Sequence, residues 1–211
     1  MRFYTLFLIL ILSLGVHLQA QVRNVSCKNQ HTPKWYFTPY VALGSLDYNY
    51  GLNHTVYDAD SVNHPIEQGQ MISPAFGFHV VNIQESFRMG AGGELQGVYG
   101  KTSNGVSTND QTLHNAKLYL RLEYRIYEGM TTDVGFYADG GAFKTFGSVG
   151  KDNNFGAFGK LGIFTNFVTE GNSSVLVGID YQYNTFTNTI GSGLSHHVMK
   201  GLSLNVGYRI W

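Results

Sequence analysis

The sequence predicts an all-β fold, an eight-stranded antiparallel up-and-down transmembrane β-barrel, and three observations predict it. Eight segments of about ten residues alternate apolar with polar side chains, the pattern of a strand with one face in lipid. The connections between them run alternately long and short. Aromatic residues gather near both ends of the segments, as they do at the two interfaces of a membrane.

The clearest segment is Lys117 to Tyr127. Leu118, Leu120, Leu122, Tyr124 and Ile126 fall on one face; Lys117, Tyr119, Arg121, Glu123 and Arg125 fall on the other. A helix would scatter both sets around its circumference. The last segment repeats the pattern, with Leu202, Leu204, Val206, Tyr208 and Ile210 opposite Ser203, Asn205, Gly207 and Arg209. The others are Phe37 to Tyr48, Ile72 to Val81, Phe87 to Tyr99, Val134 to Phe146, Ala157 to Phe167 and Val175 to Tyr183.

Four connections are long: Asn49 to Gln70, Gly100 to Thr112, Gly147 to Asn154, and Phe186 to Lys200. Three are tight: Asn82 to Ser86, Glu128 to Thr132, and Thr169 to Ser173. Short periplasmic turns and longer outer loops are how transmembrane barrels sort their connections. A soluble sandwich has no reason to do so. Trp35, Tyr36, Phe87, Tyr124, Tyr127, Phe164, Phe167, Tyr208 and Trp211 form the expected periplasmic girdle. Tyr48, Tyr50, Tyr99, Phe143, Phe146, Phe155, Phe158, Tyr181 and Tyr183 form the expected outer one.

Three stretches follow along the chain. Residues 1–20 read as a signal peptide, with Arg2 as the basic start, an apolar run from Phe3 to Val16, and Ala20 at the cleavage point. Residues 21–34 are a polar periplasmic lead-in, and 35–211 are the barrel domain. Charged residues make up 13% of the 211-residue chain and sum to zero, which excludes the basic profile of a nucleic-acid binder. Cys27 has no second cysteine to pair with.

The signal sequence, the even strand count and the closing Gly207-Tyr208-Arg209-Ile210-Trp211 resemble the small OmpX/OmpA/OmpW-like outer-membrane barrels of Gram-negative bacteria. The resemblance covers residues 35–211. It implies a cell outer-membrane location, contact with outer-membrane lipid and lipopolysaccharide, and handling by the barrel-insertion machinery. In that family the terminal aromatic is in phase with the apolar residues before it; here the phase ends on Ile210, so Trp211 is one residue out of step.

Eight strands enclose a lumen just wide enough for side chains to fill. The inward positions expected to carry charge are Arg88, Glu94, Lys117, Arg121, Glu123, Arg125, Asp139, Lys160, Asp180 and Arg209. Buried charges must pair, so a packed polar plug is favoured over a porin-like channel for small solutes. His79 is expected to face inward. His54, His64, His114, His196 and His197 are expected in solvated outer loops, with no metal-ligand spacing around them. No cofactor motif is present.

Some outer-membrane barrels modify lipid A. The deacylases among them carry a His-x-Ser pair, and no His here has Ser two residues later. The palmitoyltransferases use a His with an Asp-Ser pair at the outer rim; His54, Asp60 and Ser61 resemble that set in composition. Asp60-Ser61-Val62 also resembles a short sequence that some Gram-negative phyla O-glycosylate. The reading is therefore a monomeric barrel with a structural or surface-interaction role, its outer loops open to an extracellular partner. A lipid A-modifying enzyme is the alternative, and a narrow channel comes third.

Overall fold

The computed structural model describes residues 34–53, 67–84, 86–147, 150–169, 173–190 and 193–210. They form eight strands: β1 (Lys34–Asn53), β2 (Glu67–Gln84), β3 (Phe87–Ser103), β4 (Thr108–Glu128), β5 (Thr132–Gly147), β6 (Gly150–Val168), β7 (Ser173–Ile190) and β8 (Gly193–Ile210). Each pairs antiparallel with the next, and β1 pairs with β8 from Phe37↔Ile210 to Asn53↔Leu194. The sheet closes into a barrel. Closure leaves no unpaired edge in the hydrocarbon layer, which a spanning sheet requires.

The alternation read from the sequence turns into two surfaces. Val41, Leu43, Ile72, Phe76, Leu118, Leu120, Leu161, Ile163, Ile179 and Leu202 all point outward and are exposed. Arg88, Glu94, Lys117, Arg121, Glu123, Asp139, Lys160, Asp180 and Arg209 are buried inside. A water-soluble protein has the opposite arrangement. The exterior is built for lipid.

The strands are longer than the sequence suggested. They run from 16 residues in β5 to 21 in β4, whereas about ten residues cross the membrane at the usual tilt. The excess lies on the outer side. Most of the expected loop from Gly100 to Thr112 is strand, leaving only residues 104–107 to connect β3 and β4. Much of the expected loop from Phe186 to Lys200 is likewise strand, in β7 and β8. Above the membrane both faces meet water, so the apolar alternation fades while the hydrogen-bonded ladder continues. The register shifts twice, between Arg125 and Tyr127 on β4 and between Thr145 and Gly147 on β5. The first shift leaves Ile126 and Tyr127 both exposed.

The girdles are thinner than expected. Trp35, Phe87, Tyr124, Tyr127, Phe167 and Tyr208 face outward near the periplasmic ends, and Tyr99, Phe146, Phe155, Tyr181 and Tyr183 are exposed further out. Tyr48, Phe143, Phe158 and Phe164 instead turn into the lumen and are buried. Tyr36 lies beneath the guanidinium groups of Arg88 and Arg209 rather than at the interface. Residues 1–33 and Trp211 lie outside the described residues, and with them the signal peptide and nearly all of the lead-in.

Candidate functional site in the barrel lumen

The lumen is the only part of the molecule where chemistry-bearing side chains converge among the described residues, and its contents change along its length. At the periplasmic end Glu123 is the hub. Arg209 Nη2 donates to both of its oxygens at 2.8 and 3.1 Å, and Arg121 Nε donates to Oε1 at 2.8 Å. Arg88 Nη1 stands 3.5 Å from Oε2 and reaches Asp133 at 3.9 Å. Asp133 is an inward carboxylate that the sequence reading missed; it shares the phase of Asp139 on β5. Arg209 Nε also donates to Thr38 Oγ1 at 3.2 Å.

At mid-height two more carboxylates are occupied. Lys117 Nζ sits 2.9 Å from Glu94 Oε1, Lys160 bonds the other oxygen, and Tyr40 donates to that oxygen at 2.7 Å. Asp139 accepts from Arg121 Nη1 at 3.1 Å. Asp180 accepts from Tyr137 Oη at 2.7 Å and Asn205 Nδ2 at 3.0 Å. The Arg121 guanidinium lies 3.9 Å over the Tyr137 ring, a cation–π contact in a desolvated space. The neutral tail of the network runs Thr145, Asn115, Gln96, Gln182, each hydrogen-bonded to the next at 3.0 to 3.1 Å. Tyr40, His79, Arg121, Tyr137, Asp139, Lys160, Asp180 and Asn205 enclose a cavity of about 10 Å³, the size of one water molecule.

Arg125 is at the edge of this set. It faces inward but is only half-buried, and its Nη2 pairs with Glu128 at 2.7 Å on the periplasmic rim.

Glycines make room for the rings. A Cβ on Gly77 would stand 2.6 Å from the Tyr40 ring, and one on Gly162 would stand 2.5 Å from the Tyr137 ring. The bare backbone of one strand is the seat for an aromatic side chain of another. Seating rings is one use of the chain's glycines that composition alone did not show.

The outer third of the lumen is mainly apolar, with Thr102, Asn115, Thr145 and Asn184 buried among its rings. Leu46, Tyr48, Met71, Val98, Leu113, Phe143, Phe158, Phe186 and Met199 form one buried cluster with Tyr119. Phe143 meets Phe158 and Phe186 edge-on at 6.4 and 6.1 Å. His197 belongs to this layer and not to a solvated loop. Its ring stacks on Phe186 at 4.3 Å, and Tyr48 Oη bonds its Nδ1 at 2.6 Å. The sequence reading had a wholly polar lumen; the structure closes its outer end with a hydrophobic stopper. Lys117, with its Nζ 4.8 Å over the Phe158 ring, is where the two layers meet.

The remaining expected positions are dispersed. His79 faces inward, with Nε2 3.7 Å from Glu123. His114 lies outward on β4 beside Tyr99, and His196 is exposed on β8. His54, His64, Asp60, Ser61 and the Asp60-Ser61-Val62 sequence lie outside the described residues. Among the described residues no group of three His, Cys, Asp or Glu is placed to hold a metal ion.

No family model and no curated protein sequence matches the chain. Solved structures do. Neisserial surface protein A aligns at 11% identity over 82% of this chain and 96% of its own, with a TM-score of 0.47. Outer membrane protein OprG of Pseudomonas aeruginosa aligns at 11% identity over 87% and 98%, with a TM-score of 0.46. Outer membrane protein AlkL, solved in lipid bilayers, aligns at 11% identity over 90% and 96%, with a TM-score of 0.49. Identities at this level bear on fold alone, and the fold rests on the chain's own closed ring and apolar exterior. The molecule has the architecture of a small outer-membrane barrel. A barrel of this kind crosses lipid with strands, and buried side chains of both kinds project into its lumen.

Proposed function

We propose that this chain is a non-conducting outer-membrane barrel that anchors an extended outer surface in the envelope, with a structural or surface-contact role. The observation that supports the reading is the lumen, where a paired charge network lies below a cluster of buried apolar side chains. Selective pores line water with charges of one dominant sign. Here each of the carboxylates Glu94, Glu123 and Asp139 is bonded to a lysine or arginine.

The outer extensions supply the surface. Above the girdle, Glu67 of β2 accepts from Thr102 of β3 at 2.9 Å and from Asn109 of β4 at 3.1 Å, tying three strands together beyond the lipid. The β3–β4 tip is braced by Asn104 Oδ1, which accepts from the amides of Val106 and Ser107 at 2.9 and 2.7 Å. Gly105 takes the left-handed backbone that this turn needs, at φ 83°. Val106 is held out at the tip, 95% exposed. A braced hairpin that presents an apolar residue to solvent supports a surface-contact role.

Two measurements test this. Purified protein in planar bilayers is expected to give no steady current, and an epitope inserted after Gly105 is expected to be reached by antibody on intact cells. Large ion-selective currents would replace the anchor with a channel. An epitope accessible only after the outer membrane is opened would invert the topology.

A further inference from the structure

The lipid-facing wall is not uniformly smooth. Between β2 and β6 it is hollowed into a groove of about 510 Å³, within the size range of sites for small ligands. Its floor is made of small residues, among them Gly93, Ala116 and Ala142, and its sides of Phe76, Leu118 and Phe155. Gly140, the next outward-facing position on β5, also leaves open space: a Cβ there would meet nothing within 4 Å.

The register gives the groove a direction. Phe76, Leu95, Ala116, Lys144 and Phe155 are partners in one continuous cross-strand row. Phe76 and Leu95 lie closer to the periplasmic turn of their hairpin than Lys144 does to the turn that opens its own strand. The row therefore climbs, from mid-wall at Phe76 to the outer end at Lys144. Lys144 lies at that end with its Nζ 5.4 Å from the Phe146 ring centre and 5.7 Å from that of Phe155. Among the described residues no carboxylate pairs with it. His114 is its diagonal neighbour, opposite Phe146 in the adjoining row.

An apolar trough that runs along the lipid-facing wall and ends, toward the outer interface, on a cation with no carboxylate partner among the described residues matches one kind of molecule. We propose that the groove holds an acyl chain of an outer-leaflet lipid of the lipid A type, with a phosphate of its headgroup on Lys144. The proposal rests on the outer-membrane reading above. A second copy of the chain is a poorer occupant. A two-fold contact sets the same patch against itself, and two facing hollows leave a void. An acyl chain fills a hollow, and the cation at its mouth is complementary to a phosphate. Phospholipid of the inner leaflet would place its phosphate at the other end of the wall.

The experiment is native mass spectrometry of the full chain in detergent with added lipid A, and in parallel with phosphatidylglycerol or phosphatidylethanolamine. The wild type, Lys144→Gln and Ala142→Leu are compared, each first shown to be a folded barrel by its heat-dependent gel mobility. That control separates loss of the barrel from loss of the site. The wild type is expected to retain one lipid A in preference to either phospholipid. Lys144→Gln should weaken retention about fivefold, the value of one lysine against an anionic membrane surface. Ala142→Leu should abolish it by filling the floor. Equal retention by all three proteins overturns the proposal. Equal retention of phosphatidylglycerol and lipid A overturns the choice of lipid. A wild-type dimer that Ala142→Leu dissolves would hand the groove to a second copy.

Discussion

Around Glu123 the lumen is filled by charge, and around Phe143 it is filled by rings. Both regions close the same narrow tube, yet they depend on different physics. In the charged region each group is costly on its own and tolerable only with its partners, so the network is specific and brittle. In the stopper each ring contributes by area and contact, and neighbours can shift to reduce a loss. One region demands particular residues at particular positions; the other demands bulk of the right volume.

The largest effect should come from removing the hub. Glu123→Ala leaves Arg121 and Arg209 buried without their shared carboxylate, at a cost of about 3–5 kcal/mol. A fall in the urea midpoint of the detergent-folded barrel, with a lower temperature for its gel mobility shift, would register it. A loss below about 1 kcal/mol would mean that the network is hydrated and the brittleness illusory.

Phe143→Ala should cost about 3 kcal/mol in the same assay, since it removes a buried ring that touches both Phe158 and Phe186. The comparison sharpens when Phe143→Leu is added. A stopper that works by volume should recover most of the loss, whereas Glu123→Gln should recover little, because it preserves shape without charge. Recovery in both, or in neither, would erase the distinction between the two regions.

Tyr48→Phe tests a polar contact inside the stopper. It removes the hydroxyl bonded to His197 Nδ1 and should cost about 1 kcal/mol. Smallest of all, Lys101→Ala breaks an ion pair with Asp110 that lies 3.7 Å across the outer extension in water. Less than about 0.5 kcal/mol is expected, and the urea midpoint should be nearly unchanged.

Much of this was legible in the chain. The strand phase placed Arg121, Glu123, Lys160 and Arg209 inside because alternate residues of a strand must face opposite ways. The same rule, applied to the aromatics, would have placed Phe143 inside with Asp139 and Phe158 inside with Lys160, since each pair shares a phase. Position alone does not separate the two roles, because an aromatic near a strand end suits either an interface or a packed bore. Phe146 and Phe155, on the opposite phase, are the ones that face lipid. Asp133 carries no clear phase in the sequence because it lies beside a tight turn, where alternation has barely begun. Strand length was underestimated because the hydrophobic period stops at the membrane surface, while backbone pairing does not.

Which residues meet lipid and which meet each other was therefore determined by the sequence alone, because a two-residue period survives any twist or tilt of the sheet. Which charges pair was decided only by the closed structure. Arg209 on the last strand reaches Glu123 on the fourth across the bore, and Lys160 on the sixth reaches Glu94 on the third. The same is true of the slanting row that carries Phe76 up to Lys144, because the stagger between neighbouring strands sets height, and no strand contains that stagger within itself.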